Sequence, residues 1–204
     1  MRQTIFDTPL INTLFQSGAA GALKLCGWRV EGALPPLSKF VLIAAPHTSN
    51  WDFPLMLAAA FVYRVKLYWL GKHTLFRGPF GVLFRWLGGI PIDRRAAQDL
   101  VAQAVAQFAQ AEHFVLAVPP EGTRQKVRRW KTGFYYIALG AGVPVVLGFL
   151  DYRRKVAGFG PTLMPTGDLT ADLHSIRAFY ANVTGKYPAQ FGEAALDPET
   201  PNAG

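Results

Sequence analysis

From Lys39 to Leu150 short apolar runs alternate with segments of helical length, and this alternation constrains the fold more than any other feature of the chain. Runs at 40–45, 66–70, 90–92, 114–118 and 144–150 read as strands, and 53–63, 72–87, 96–111 and 132–140 as helical segments. The clearest helix is 96–111, where Leu100, Val101, Ala104, Val105 and Phe108 make one apolar stripe. Such an order predicts an α/β fold, with a mostly parallel central sheet flanked by helices. A further helix is expected near 171–184. Before the alternation begins, Leu10, Ile11, Leu14 and Phe15 recur at helical spacing within 8–28. That segment fits either an interfacial helix lying on a bilayer or a helix packed on the core. The expected organisation is an N-terminal helical segment over 1–38 open to membrane association, a domain over 39–190 and a frayed tail over 191–204.

In open α/β sheets ligands sit at the carboxyl ends of the strands, and three polar clusters fall there. His47 and Asp52 follow the first strand, Asp93 and Arg94 follow Ile92, and Glu121-Gly122-Thr123-Arg124 follows Val118. Parallel neighbouring strands would place all three on one rim. On a continuous helix His47 and Asp52 would face about 140° apart, so they meet only across a turn. Taken alone, Asp52 would also serve as a helix N-cap ahead of Phe53-Pro54. Ser49 reads as a turn hydrogen-bonder.

A histidine held by a carboxylate is a general base, the carboxylate fixing its tautomer and supporting the imidazolium. The chain has no G-x-S-x-G elbow, no P-loop, no dinucleotide fingerprint and no cysteine or histidine cluster for a metal. The nucleophile is then expected to be a hydroxyl of a bound substrate, and the arginines point to a phosphate on it.

Composition narrows the partners. The formal charge is +8 with a pI near 9.8, which attracts anionic surfaces. The 13% aromatic content and positive mean hydropathy favour work on something greasy over nucleic acid. The densest basic run, Arg124, Lys126, Arg128, Arg129 and Lys131, fits a grip on anionic lipid, a dock for an acidic carrier protein, or a solvated loop. The charge-free stretch Thr132–Leu150 is broken by Gly133, Gly140, Gly142, Pro144 and Gly148, so a helix end, a turn and a strand are expected there, not a membrane span. The single cysteine, Cys26, fits a reducing compartment and reads as a small buried hydrophobe. With no signal peptide evident, the default address is cytoplasmic.

Four blocks, in order, resemble those of the glycerolipid acyltransferase superfamily, which includes the lysophosphatidic acid (1-acylglycerol-3-phosphate) acyltransferases. The first is Pro46-His47-Thr48-Ser49-Asn50-Trp51-Asp52 and the second Gly88-Gly89-Ile90-Pro91-Ile92-Asp93-Arg94. The third is Pro120-Glu121-Gly122-Thr123-Arg124 and the fourth Val143-Pro144-Val145-Val146. Pro46 stands where the family usually has asparagine, and Pro91 predicts an edge or interrupted strand. The resemblance implies acyl transfer from a thioester, acyl carrier protein or coenzyme A, to a lysophospholipid hydroxyl. It makes His47 the base and Asp52 its orienting carboxylate, and gives Arg94 and Arg124 the acceptor phosphate. Gly122 would permit close backbone approach, Thr123 would shape the turn, and Glu121 would orient an arginine or its loop. No cofactor or metal is implied beyond the acyl donor as co-substrate. The implied location is peripheral, on the inner face of the cell membrane. Thioester hydrolysis and a non-enzymatic basic lipid-binding module are the alternatives.

Overall fold

A computed structural model describes residues 3–92 and 97–192. Its centre is a seven-stranded sheet. The strands are β1 (Arg29–Glu31), β2 (Lys39–Ala45), β3 (Leu67–Lys72), β4 (Gly89–Ile92), β5 (Phe114–Val118), β6 (Val145–Asp151) and β7 (Val156–Leu163). The spatial order is β1-β7-β6-β2-β5-β3-β4, parallel throughout except for the antiparallel β6–β7 pair. β2 lies at the middle of the sheet and is covered on both faces, which is why Phe-Val-Leu-Ile-Ala-Ala carries no polar alternation. β4 is the edge strand, where Pro91 removes no hydrogen bond that the ladder needs.

Successive side chains of a strand point to opposite faces, so each strand supplies two cores. Val41, Ile43, Leu116, Val145 and Leu147 meet α4 (Ala97–Gln110), α5 (Gly133–Ala141) and α6 (Leu169–Tyr180). Phe40, Leu42, Val115, Ala117 and Val146 face α2 (Asp52–Val62), with α1 (Pro9–Leu25) and α3 (Gly78–Trp86) alongside. The result is a three-layer α/β/α arrangement.

The helix ends follow local chemistry. Asp168 caps α6, its side chain accepting from the N–H groups of Thr170 and Ala171 at 3.0 Å each. Gly142 ends α5 at φ +61°, a left-handed conformation that favours glycine, and β6 starts at Val145 as the glycine punctuation predicts. Among the described residues no helix is long and apolar enough to cross a membrane. Cys26 is exposed as the C-cap of α1, not buried: Leu23 and Trp28 take the buried positions at this helix end, and Leu25 beside Cys26 is exposed as well.

Candidate active site

β2 ends at Ala45 and hands over to a tight turn that opens with a cis Ala45–Pro46 peptide. The turn carries His47, and α2 starts at Asp52. The two residues meet: His47 Nδ1 lies 3.2 Å from Asp52 Oδ2. Asp52 does not cap α2 with its side chain. Its carboxylate reaches back into the turn, where Oδ2 accepts from the N–H groups of Thr48 and Ser49 at 2.8 Å each. The other oxygen, Oδ1, accepts from the Tyr152 hydroxyl at 2.6 Å. Four donors thus converge on a carboxylate that is only 4% exposed, the condition under which a buried charge is tolerated. Its position in the first turn of α2 adds the favourable helix dipole. Ser49 Oγ accepts from the Trp51 N–H at 3.2 Å, the expected turn role.

The neighbouring strand β5 ends at Val118, and Glu121 is 1% exposed below the rim. Its Oε1 accepts from the His47 backbone N–H at 2.6 Å, while Oε2 has no partner among the described atoms. Its observed contact is therefore the backbone of the first block. Burial pushes the Glu121 carboxyl up to about 7, with the His47 N–H and imidazole opposing and the Asp52 carboxylate adding to the rise. Gly122 turns the chain at φ +64°, and a Cβ there would come within 3.2 Å of the Lys131 side chain. Thr123 Oγ1 accepts from the Gln125 N–H at 3.3 Å, closing the turn. Arg124 is exposed. Trp130 anchors the basic loop: it is buried, and its indole N–H donates to Gly192 at 2.9 Å, leaving Lys126, Arg128 and Lys131 at the surface.

His47 and Asp52 open onto a cavity of about 450 Å³ that runs between α2 and the sheet. Phe53, Met56, Ala60 and Tyr63 form its helical wall, with Leu42, Trp69 and Phe159 opposite. Those helix positions recur every three or four residues, so one face of α2 faces the space. Gly122, Thr123, Arg124 and Lys72 sit at the mouth, and Glu121 is not on the wall. Of the aromatic residues near the blocks, Phe53 and Phe84 line the cavity, Phe76 is core, and Trp51 and Phe80 are exposed.

The structure brings the first and third blocks together on adjacent strands. The second block is more distant, since β3 stands between β5 and β4, and Asp93 and Arg94 lie outside the described residues. Two contributors have no sequence signal. One is Tyr152, just beyond β6. The other is the segment around Tyr187, whose N–H donates to Thr48 Oγ1 at 3.2 Å. Among the described residues no group of His, Cys, Asp or Glu is arranged to hold a metal ion.

The three-layer α/β fold sets a histidine–aspartate pair at the end of a central strand, above an apolar cavity, and comparison with known families gives the class, an acyltransferase. Residues 29–146 match the family described as Acyltransferase, and the chain belongs to that family, within the glycerolipid acyltransferase superfamily. The fold is similar to the crystal structure of PlsC, the 1-acyl-sn-glycerophosphate (LPA) acyltransferase of Thermotoga maritima. The two share 18% identity with a TM-score of 0.56, over 81% of this chain and 75% of that one. No curated protein matches the chain.

Proposed function

We propose that the protein moves a fatty acyl group from a thioester, acyl carrier protein or coenzyme A, to the hydroxyl of a lysophospholipid such as 1-acylglycerol-3-phosphate. The observation that carries this reading is the His47–Asp52 pair at the mouth of an apolar cavity, with arginine beside it. With Nδ1 turned to Asp52, Nε2 is the nitrogen left for the acceptor hydroxyl. It takes the proton as the oxygen attacks the thioester carbonyl. The tetrahedral intermediate then expels the thiolate, and the imidazolium returns the proton to sulfur. Asp52 orients the ring and supports its transient charge. Arg124, with Arg94 from the second block, holds the acceptor phosphate. The cavity volume falls within the usual range for ligand pockets, about 300–1,000 Å³, and its apolar walls suit an acyl chain. No cofactor is needed beyond the acyl donor.

The proposed setting is the inner face of the cell membrane, reached by peripheral binding. Leu10, Leu14, Leu25, Trp51, Phe80 and Val82 are exposed, and all lie on or beside the α1–α3 layer that holds the cavity. Lys24, Lys72 and Arg77 stand exposed among them. An apolar surface set with cations suits anionic lipid.

The test is a transfer assay from acyl-CoA and acyl carrier protein to lysophosphatidic acid, with acylated lipid and released fatty acid measured together by mass spectrometry. His47→Ala should lower transfer by about 10²–10⁴-fold. Undiminished transfer in folded His47→Ala would end the mechanism, and fatty acid release without acylated lipid would make the protein a hydrolase.

A further inference from the structure

The two oxygens of Asp52 are held in different ways. Oδ2 faces three groups of its own turn: the N–H groups of Thr48 and Ser49, and Nδ1 of His47. Oδ1 accepts from Tyr152, a hundred residues away in the chain. The terminal torsion of an aspartate is broad, so bonds to one oxygen leave the carboxylate plane free to swing. A donor on the second oxygen closes that freedom and fixes the direction in which Oδ2 meets the imidazole.

Tyr152 is itself seated for this. Its ring packs edge-on against Trp28, with centroids 4.9 Å apart at 88°. Its backbone N–H donates to Thr184 at 2.8 Å. The hydroxyl stays a donor: burial first, and then the bond to Asp52, hold the phenol well above its ordinary range. Tyr152 is not on the cavity wall.

We propose that Tyr152 is a positioning residue, whose hydroxyl sets the plane and the charge of Asp52 and acts on the reaction only through the Asp52–His47 pair. The inference rests on the acyl-transfer reading. A phenol donor also shares the negative charge of the carboxylate, so its loss changes what the imidazole faces.

Steady-state kinetics of acyl transfer in the full chain tests this. Tyr152→Phe keeps the ring against Trp28 and removes one hydrogen bond to a charged group. It should lower kcat by about ten- to a hundred-fold with KM for both substrates unchanged. In an Asp52→Asn background the same substitution should cost nothing more. Should Tyr152→Phe fail to fold, Trp28→Leu keeps the hydroxyl but unseats the ring, and a smaller kcat loss of the same kind is expected. Wild-type kcat in Tyr152→Phe, or an undiminished loss in the Asp52→Asn background, overturns the inference. So does wild-type kinetics in Trp28→Leu where that variant decides. With His47→Ala inactive in the same assay, any of these leaves the acyl-transfer reading standing; an active His47→Ala removes that reading itself.

Discussion

The two faces of the sheet are built from the same strands and are packed to different ends. On the α4–α6 face, Phe108, Phe114, Phe134, Tyr135 and Tyr180 fill the layer, each buried almost completely. The α1–α3 face has its own aromatic core, yet it leaves about 450 Å³ open beneath α2 and puts large apolar side chains on its outer surface. One layer is closed and supplies stability; the other holds an apolar space joined to the His47 turn. Ala59 and Ala60 of α2 line the open space, whereas Phe134 and Ile137 of α5 are buried in the filled layer.

This contrast is open to measurement. Ile137→Ala should cost about 4 kcal/mol, a large share of the stability of a domain this size, because the layer around it has no room to collapse. Met56→Ala, on the cavity wall, should cost about 1 kcal/mol, since one side of Met56 already faces empty space. Equal losses in urea unfolding would erase the distinction.

Glu121 lies at the seam between the faces, and it predicts a pH dependence. Its folded value of about 7 is above the ordinary 4.5, so the folded state holds the proton more tightly. The stabilisation this brings is complete below pH 4.5 and is lost as the pH rises through 7. Glu121→Gln cannot titrate. Its stability relative to wild type should therefore improve between pH 4.5 and 8 by on the order of 3 kcal/mol. Parallel pH curves of melting temperature for the two proteins would show that Glu121 titrates normally.

The smallest effect on stability should come from the outer apolar surface. Phe80 is 67% exposed, so Phe80→Ser should change unfolding by less than about 0.5 kcal/mol. Partition onto vesicles of anionic lipid should nevertheless fall by about ten-fold, the apolar area of one phenylalanine. Unchanged partition would remove α3 from the proposed lipid contact.

Much of this architecture is legible in the sequence wherever burial is complete and local. β2 and β5 read as apolar runs because both faces are covered, and the glycine punctuation before β6 marks a real helix end. β1 escapes notice because it has three residues, two of them charged. β7 escapes because Gly158, Gly160 and Pro161 interrupt it. Those glycines answer to tertiary neighbours: a Cβ on Gly158 would strike the Glu31 carbonyl, and one on Gly160 the Phe179 ring. In the site, the His47–Asp52 turn is legible because the residues that shape it are adjacent in sequence. Tyr152 and Tyr187 are not, since only the folded sheet brings them to the turn. The spatial order of the blocks is also a property of strand order, which no single segment encodes.

The bond from the His47 amide to Glu121 has a consequence for anyone mapping activity position by position. A carboxyl group that is 1% exposed, and that accepts from the His47 backbone N–H, would rank beside His47 in such a map. Such a rank would not require contact with the cavity, whose wall Glu121 does not line. What it would report is the hold of position 121 on the backbone that carries the imidazole.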